Sequence, residues 1–230
     1  MVESGPYERG ESAPEVLVIK RILCVLLLTL VAALATAQPD LFHRPGFLAG
    51  RTMLTLSLFD EVRTELKTPA DFNGKSDALL EKYSSEVQDV VQNSGGDFTA
   101  IRPQIEKLNA QYDDEVVKLL TSDQVSRLKQ LFIQYNGANA ITNPLISKDL
   151  GITDDQKAKI KTVQEDNFKK TAEVFQGGGS PEDNRTALAK LQEDLKTALA
   201  NVLTDDQKKK FEDMKGAKFE FKKVEAPAGQ

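Results

Sequence analysis

Apolar positions along this chain recur with helical spacing. Leu58, Val62 and Leu66 stand four apart and predict a short helix ending near Lys67. Leu79, Tyr83, Val87, Val90 and Val91 mark one side of a second helix over residues 75–92, closed by Asn93-Ser94-Gly95-Gly96. Ile105, Leu108, Tyr112, Val116 and Leu119 predict a long amphipathic helix that runs to Leu120. Val125, Leu128, Leu131 and Phe132 face inward on the next helix, and residues 136–144 read as a linker between two halves. The scheme then repeats. A short helix over 145–150 is closed by Gly151, and the helix after it carries Ile160, Val163, Phe168 and Phe175. After the break at Gly177-Gly178-Gly179, Ser180 and Pro181 restart the chain as N-cap and first helical residue. Leu188, Leu191, Leu195, Leu199 and Val202 form the longest apolar stripe, on a helix of about 30 Å. No stretch alternates with period two, so the expected fold class is all-α, with extended amphipathic helices in antiparallel hairpins.

One short phrase starts several of these helices. Leu120-Thr121-Ser122-Asp123-Gln124, Ile152-Thr153-Asp154-Asp155-Gln156 and Leu203-Thr204-Asp205-Asp206-Gln207 all read apolar-Thr-x-x-Gln. This is a capping box: the Thr hydroxyl accepts from the backbone N–H three residues on, and the Gln side chain reaches back to the Thr N–H. Acids in the first turn suit the positive end of the helix dipole. A degraded fourth copy lies at Lys67-Thr68-Pro69-Ala70-Asp71, without the apolar residue and without Gln. Successive Thr residues are 53, 32 and 51 apart, a long-short-long order that implies a duplicated unit of about 83 to 85 residues. At an offset of 83, Lys107 falls on Lys190, Leu108 on Leu191, Arg102 on Arg185 and Gly95-Gly96 on Gly178-Gly179. The expected units are residues 57–140 and 141–221, after a loose leader at 38–56 and before a disordered tail at 222–230.

The N-terminus reads as an export signal. Lys20 and Arg21 precede an apolar run from Ile22 to Leu34, and Ala35-Thr36-Ala37 is a small-x-small cleavage site before Gln38. An uncleaved anchor is the alternative, although the run is short for a membrane span. Residues 1–17 are polar, and translation beginning near Val18 would make them a start-site artefact. Cys24 lies within the apolar run, so the chain from Gln38 has no thiol chemistry. Taking Arg9, Lys20 and Arg21 from the 30 basic residues, and Glu3, Glu8, Glu11 and Glu15 from the 35 acidic ones, leaves 27 against 31, a net of −4. That balance lacks the basic face nucleic acid requires. His43 is the only histidine, and no Ser/His/acid or metal-ligand grouping is present, so the expectation is a protein without catalysis, cofactor, metal or small-molecule substrate. Asp113-Asp114-Glu115 and Asp154-Asp155 lack calcium-loop spacing, and Gly177 to Gly179 lacks the Lys-Ser/Thr of a phosphate loop.

The repeated phrase on charged helices, in an exported, all-helical chain, resembles the Spy/CpxP family of bacterial periplasmic proteins. The resemblance covers about residues 57–221, as two such units in tandem. It implies a thin, curved helical cradle, and a role as an ATP-independent chaperone or envelope-stress binder of unfolded or partner envelope proteins. A structural or regulatory module for one specific envelope partner is the alternative. Two departures stand out: the mild acidity, where such chaperones present a basic concave face, and the absence of the histidines that zinc-binding relatives use. Phe98, Tyr135 and Phe219 lie off the cleanest stripes and are candidates for an exposed client surface, with Arg102, Arg127 and Arg185 as attractors for acidic clients. Relatives are usually dimers. A chain with two fused units is expected to be a pseudo-symmetric monomer or a weak homodimer, in which the helices over 105–119 and 188–202 occupy equivalent places.

Overall fold

Each intact capping phrase starts a helix in the computed structural model of the protein, which describes residues 50–94 and 98–222. The segment expected to be an export signal, with Ala35, Ala37 and Gln38, lies outside the described residues, as do His43 and residues 223–230. Among the described residues the regular structure is helical throughout: α1 (Met53–Leu56), α2 (Asp60–Leu66), α3 (Phe72–Asn93), α4 (Phe98–Val117), α5 (Ser122–Asn136), a 3-10 helix (Gly137–Thr142), α6 (Pro144–Leu150), α7 (Asp154–Gln176), α8 (Pro181–Ala200) and α9 (Asp205–Asp213). The protein is all-α, and no helix among the described residues is long and apolar enough to cross a membrane.

The duplicated pattern reappears in the element order. A short helix, two long ones and a shorter one make up α2–α3–α4–α5, and the same order recurs as α6–α7–α8–α9. Within each set the long helices pack on one another. Tyr83 and Tyr112 meet edge to face at 5.3 Å between α3 and α4, and their hydroxyls donate to Asn109 at 2.8 Å and to Glu86 at 2.9 Å. On the other pair, the Asn167 amide donates to the Leu191 carbonyl at 3.1 Å. Short helices α2 and α6 end alike, on a left-handed residue whose N–H returns to the last turn: Lys67 (φ 50) and Gly151 (φ 72). Glycine avoids the Cβ clash of that conformation, and Lys67 carries it.

The core gathers around α5. Its consecutive residues Leu131, Phe132 and Ile133 are all buried, so this helix is covered on more than one side. α1, α2 and the 3-10 helix all pack against it.

Two segments expected to be loose are central to this core. In the supposed leader, Thr52 and Thr55 form a reciprocal capping box at 3.0 and 3.1 Å, and Met53, Leu54 and Leu56 are wholly buried. A four-residue helix is too short to show periodicity, which is why residues 50–56 read as leader. In the supposed linker, Ala140 and Ile141 are wholly buried on the 3-10 helix, which also packs against α8. Asn136 ties it to the leader by donating to the Gly50 carbonyl at 2.8 Å, and Asn143 caps α6 by accepting from the Leu145 N–H at 2.9 Å. The small and polar residues that suggested a linker are caps and tight packing. The described residues belong to one compact unit, and the junction between the repeats lies inside it.

Candidate functional site

The capping phrases do more than start helices. In each, the Gln Oε1 accepts from its own Thr N–H, at 2.9 Å for Gln124 and 3.0 Å for both Gln156 and Gln207. That leaves the amide NH2 of each Gln to reach across to another phrase. Gln124 donates to the Leu66 and Lys67 carbonyls at 2.9 and 3.1 Å. Gln156 donates to the Val202 carbonyl at 2.9 Å, and Gln207 to the Gly151 carbonyl at 3.2 Å. Leu66, Gly151 and Val202 each stand two residues before a phrase Thr (Thr68, Thr153 and Thr204). Phrases therefore work in pairs, and the Gln156 and Gln207 amides also bond one another, at 2.6 and 3.0 Å. The degraded copy at Thr68 keeps the acceptor and has lost the donor, since Asp71 replaces Gln. Each pair of phrases clamps the base of one pair of long helices, and Ile152 and Leu203 bury their side chains behind the clamp.

Between the two long-helix pairs lies an open cleft of about 730 Å³. Arg102, Glu106 and Asn109 line it from α4, at helical spacing. Facing them are Gln164, Asn167, Phe168 and Thr171 of α7 and Gln192 and Leu195 of α8. Its floor carries Asn136, Asn139, Thr142 and Asn143. Arg102 is paired with Glu106 at 2.8 Å.

At the floor sits Asp113, which lines the cleft although only 1 % exposed. Its Oδ1 accepts from the Leu54 N–H at 3.2 Å and its Oδ2 from the Asn143 amide at 2.6 Å, so one carboxylate joins α1, α4 and the cap of α6. Burial pushes this carboxyl up to about 7, with a smaller push from Asp114, against the hydrogen bonds from Leu54, Asn143 and Met53, which lower it. Burial also pushes the Tyr83 hydroxyl up to about 12, with the Asp113 charge adding to the effect.

The candidate client-binding residues do not form one surface. Arg102 is on the cleft wall, and Arg185 is exposed on α8 outside the cleft lining. The Phe98 side chain lies outside the described ones. Arg127, Tyr135 and Phe219 come together to hold the C-terminal strap over α5. Arg127 binds Glu65 at 2.8 Å and the Ala217 carbonyl at 2.9 Å. Gln134 donates to the Lys215 and Ala217 carbonyls at 2.6 and 2.9 Å and accepts from the Phe219 N–H at 2.8 Å. Phe59, Tyr135, Phe221 and Phe219 form a chain of edge-to-face contacts at 5.7, 5.0 and 4.9 Å. These aromatics leave the stripes because they pack against the strap, which corrects Arg127 and Phe219 as open binding groups.

Of the candidates, Tyr135 stays exposed, at 37 %. Phe175 is 65 % exposed, Val91 37 % and Phe168 36 %. Helical spacing placed Phe168 and Phe175 inward, yet both stay exposed, and α8 is the main packing partner of α7. The adjoining Gly177-Gly178-Gly179 break, which ends α7 just beyond Phe175, was the only local sign. The chain matches no family model, no curated protein and no solved structure.

Proposed function

We propose that this protein is an exported, non-catalytic binder that captures unfolded envelope proteins without ATP, on the apolar flanks of its long helix pairs. The observation that carries this reading is Phe175, 65 % exposed near the end of α7, with Val91 as a second uncovered apolar group. Surface charges would draw in a client at long range, and apolar segments would then dock on these flanks. Resemblance of the capping phrases to those of Spy/CpxP proteins supports the same class.

Light scattering of an unfolding, unrelated client, without nucleotide, tests the reading. The protein should slow aggregation, and Phe175→Ser with Val91→Ser should remove most of the effect while the fold persists. No suppression at a severalfold molar excess would overturn it. The second reading, a module for one specific envelope partner, is favoured by the acidic balance and by the strap that packs against Tyr135. It requires unrelated clients to aggregate unhindered.

A further inference from the structure

Client capture on the apolar flanks makes no use of the cleft, whose lining has a different chemistry. Its α7 wall presents Gln164, Asn167 and Thr171 one turn apart, with Gln192 beside them from α8. The Gln164 and Gln192 side chains make no hydrogen bond to any described residue. Asn167 commits one amide N–H to Leu191 and keeps its Oδ1, and Asn109 accepts from Tyr83 and keeps its NH2 group. The cleft thus offers planar amides with both donors and acceptors uncommitted.

That combination matches one ligand chemistry. Neighbouring hydroxyls on a sugar ring each donate and accept, and a planar amide can engage two of them at once. The C–H face of the same ring packs on an aromatic side chain, and Phe168 stands half-open on the same wall. The charged side chains that line the cleft, Arg51 and Arg102 against Glu106 and Asp113, balance in sign, and Arg102 is already paired with Glu106, which leaves little net pull for a charged ligand. A volume of about 730 Å³ lies within the usual range of small-molecule sites, roughly 300–1,000 Å³. An extended peptide would find no strand edge here to pair with.

We propose that the cleft between α4 and the α7–α8 pair binds a short neutral oligosaccharide, with Phe168 as the stacking face and Gln164, Asn167 and Gln192 as the hydroxyl-binding groups. Titration of the protein with chitotriose, maltotriose and cellotriose, followed by saturation-transfer NMR and calorimetry, tests it. At least one sugar should saturate with a dissociation constant of about 1 mM or tighter. Phe168→Ala, Asn167→Ala and Gln192→Ala should each weaken it about tenfold, and Phe175→Ala, outside the cleft, should leave it unchanged. Gln192 is exposed, so its variant removes the contact without disturbing the core. The proposal is overturned if none of the three sugars binds at about 10 mM. It is equally overturned if binding is indifferent to all three cleft variants, or if an unfolded peptide, and no sugar, loses affinity on Phe168→Ala. Because Phe175 serves only the flank, loss of client capture in its variant and loss of sugar in the Phe168 and Gln192 variants are separable.

Discussion

Gln207 holds three groups at once: the N–H of Thr204, the Gly151 carbonyl and the Gln156 amide. Thr204 itself contributes one cap, accepting from the Gln207 N–H at 3.2 Å. Thr204→Ala should therefore cost about 1 kcal/mol, the usual worth of an N-cap. Gln207→Ala should cost more, about 2 kcal/mol, because it also strips partners from a second phrase. Thr68→Ala should cost the least, since α3 begins only at Phe72, with Asp71 as its N-cap and no side-chain cap bond. Urea melts of the three variants check the order. Asp113 sets a second residue-scale expectation. Its folded value of about 7 is raised from an ordinary 3.8, so the fold holds this proton more tightly than the unfolded chain does. The stability this gives is fully present below about pH 4 and is lost as pH rises through 7. Asp113→Asn should flatten that part of the dependence, read as the difference between wild type and variant in melts at pH 4.5 and pH 8.

At the scale of elements, the clamps hold only the bases of the long helices. No residue between Ile160 and Leu199 is buried, and none among the described residues between Tyr83 and Tyr112. Leu188, Leu191 and Leu195 form the longest stripe, yet all three are only half-covered, because α7 is the main neighbour along α8, joined by the 3-10 helix. Local opening tracks the number of buried contacts. Amides over residues 161–198 should exchange with solvent well before those of α5, whose Leu128, Leu131 and Ile133 are wholly buried. Hydrogen exchange read by mass spectrometry checks this. Equal protection along α7, α8 and α5 would mean that another molecule covers the flank.

For the whole molecule, the junction between repeats governs assembly. Ala140 and Ile141 sit in the core between the two sets of helices, and Asp113 ties that core to Leu54 and Asn143. Exchanging halves between two chains would require this segment to leave the core, losing about 1.5–3 kcal/mol for the isoleucine alone. The chain should therefore stay monomeric, with light-scattering mass constant across a wide dilution series. A tight dimer at nanomolar concentration would contradict this.

Helix positions, the three capping boxes and the tandem order were legible in the sequence because each depends on bonds spanning three or four residues. Thr121 with Gln124 is complete within one turn, and the same phrase at Thr153 and Thr204 reports its own repetition. Tertiary structure alone decided where the second N–H of each Gln goes, since Leu66, Gly151 and Val202 lie 46 to 58 residues away. It also decided that residues 52–56 and 137–142 are core, because elements too short to show a period are buried only by what packs over them. Phe168 and Phe175 have the spacing of core residues and stay exposed for the matching reason. An apolar stripe specifies which side of a helix prefers cover, and only the arrangement of the other helices determines whether that cover, or an open cleft, is there.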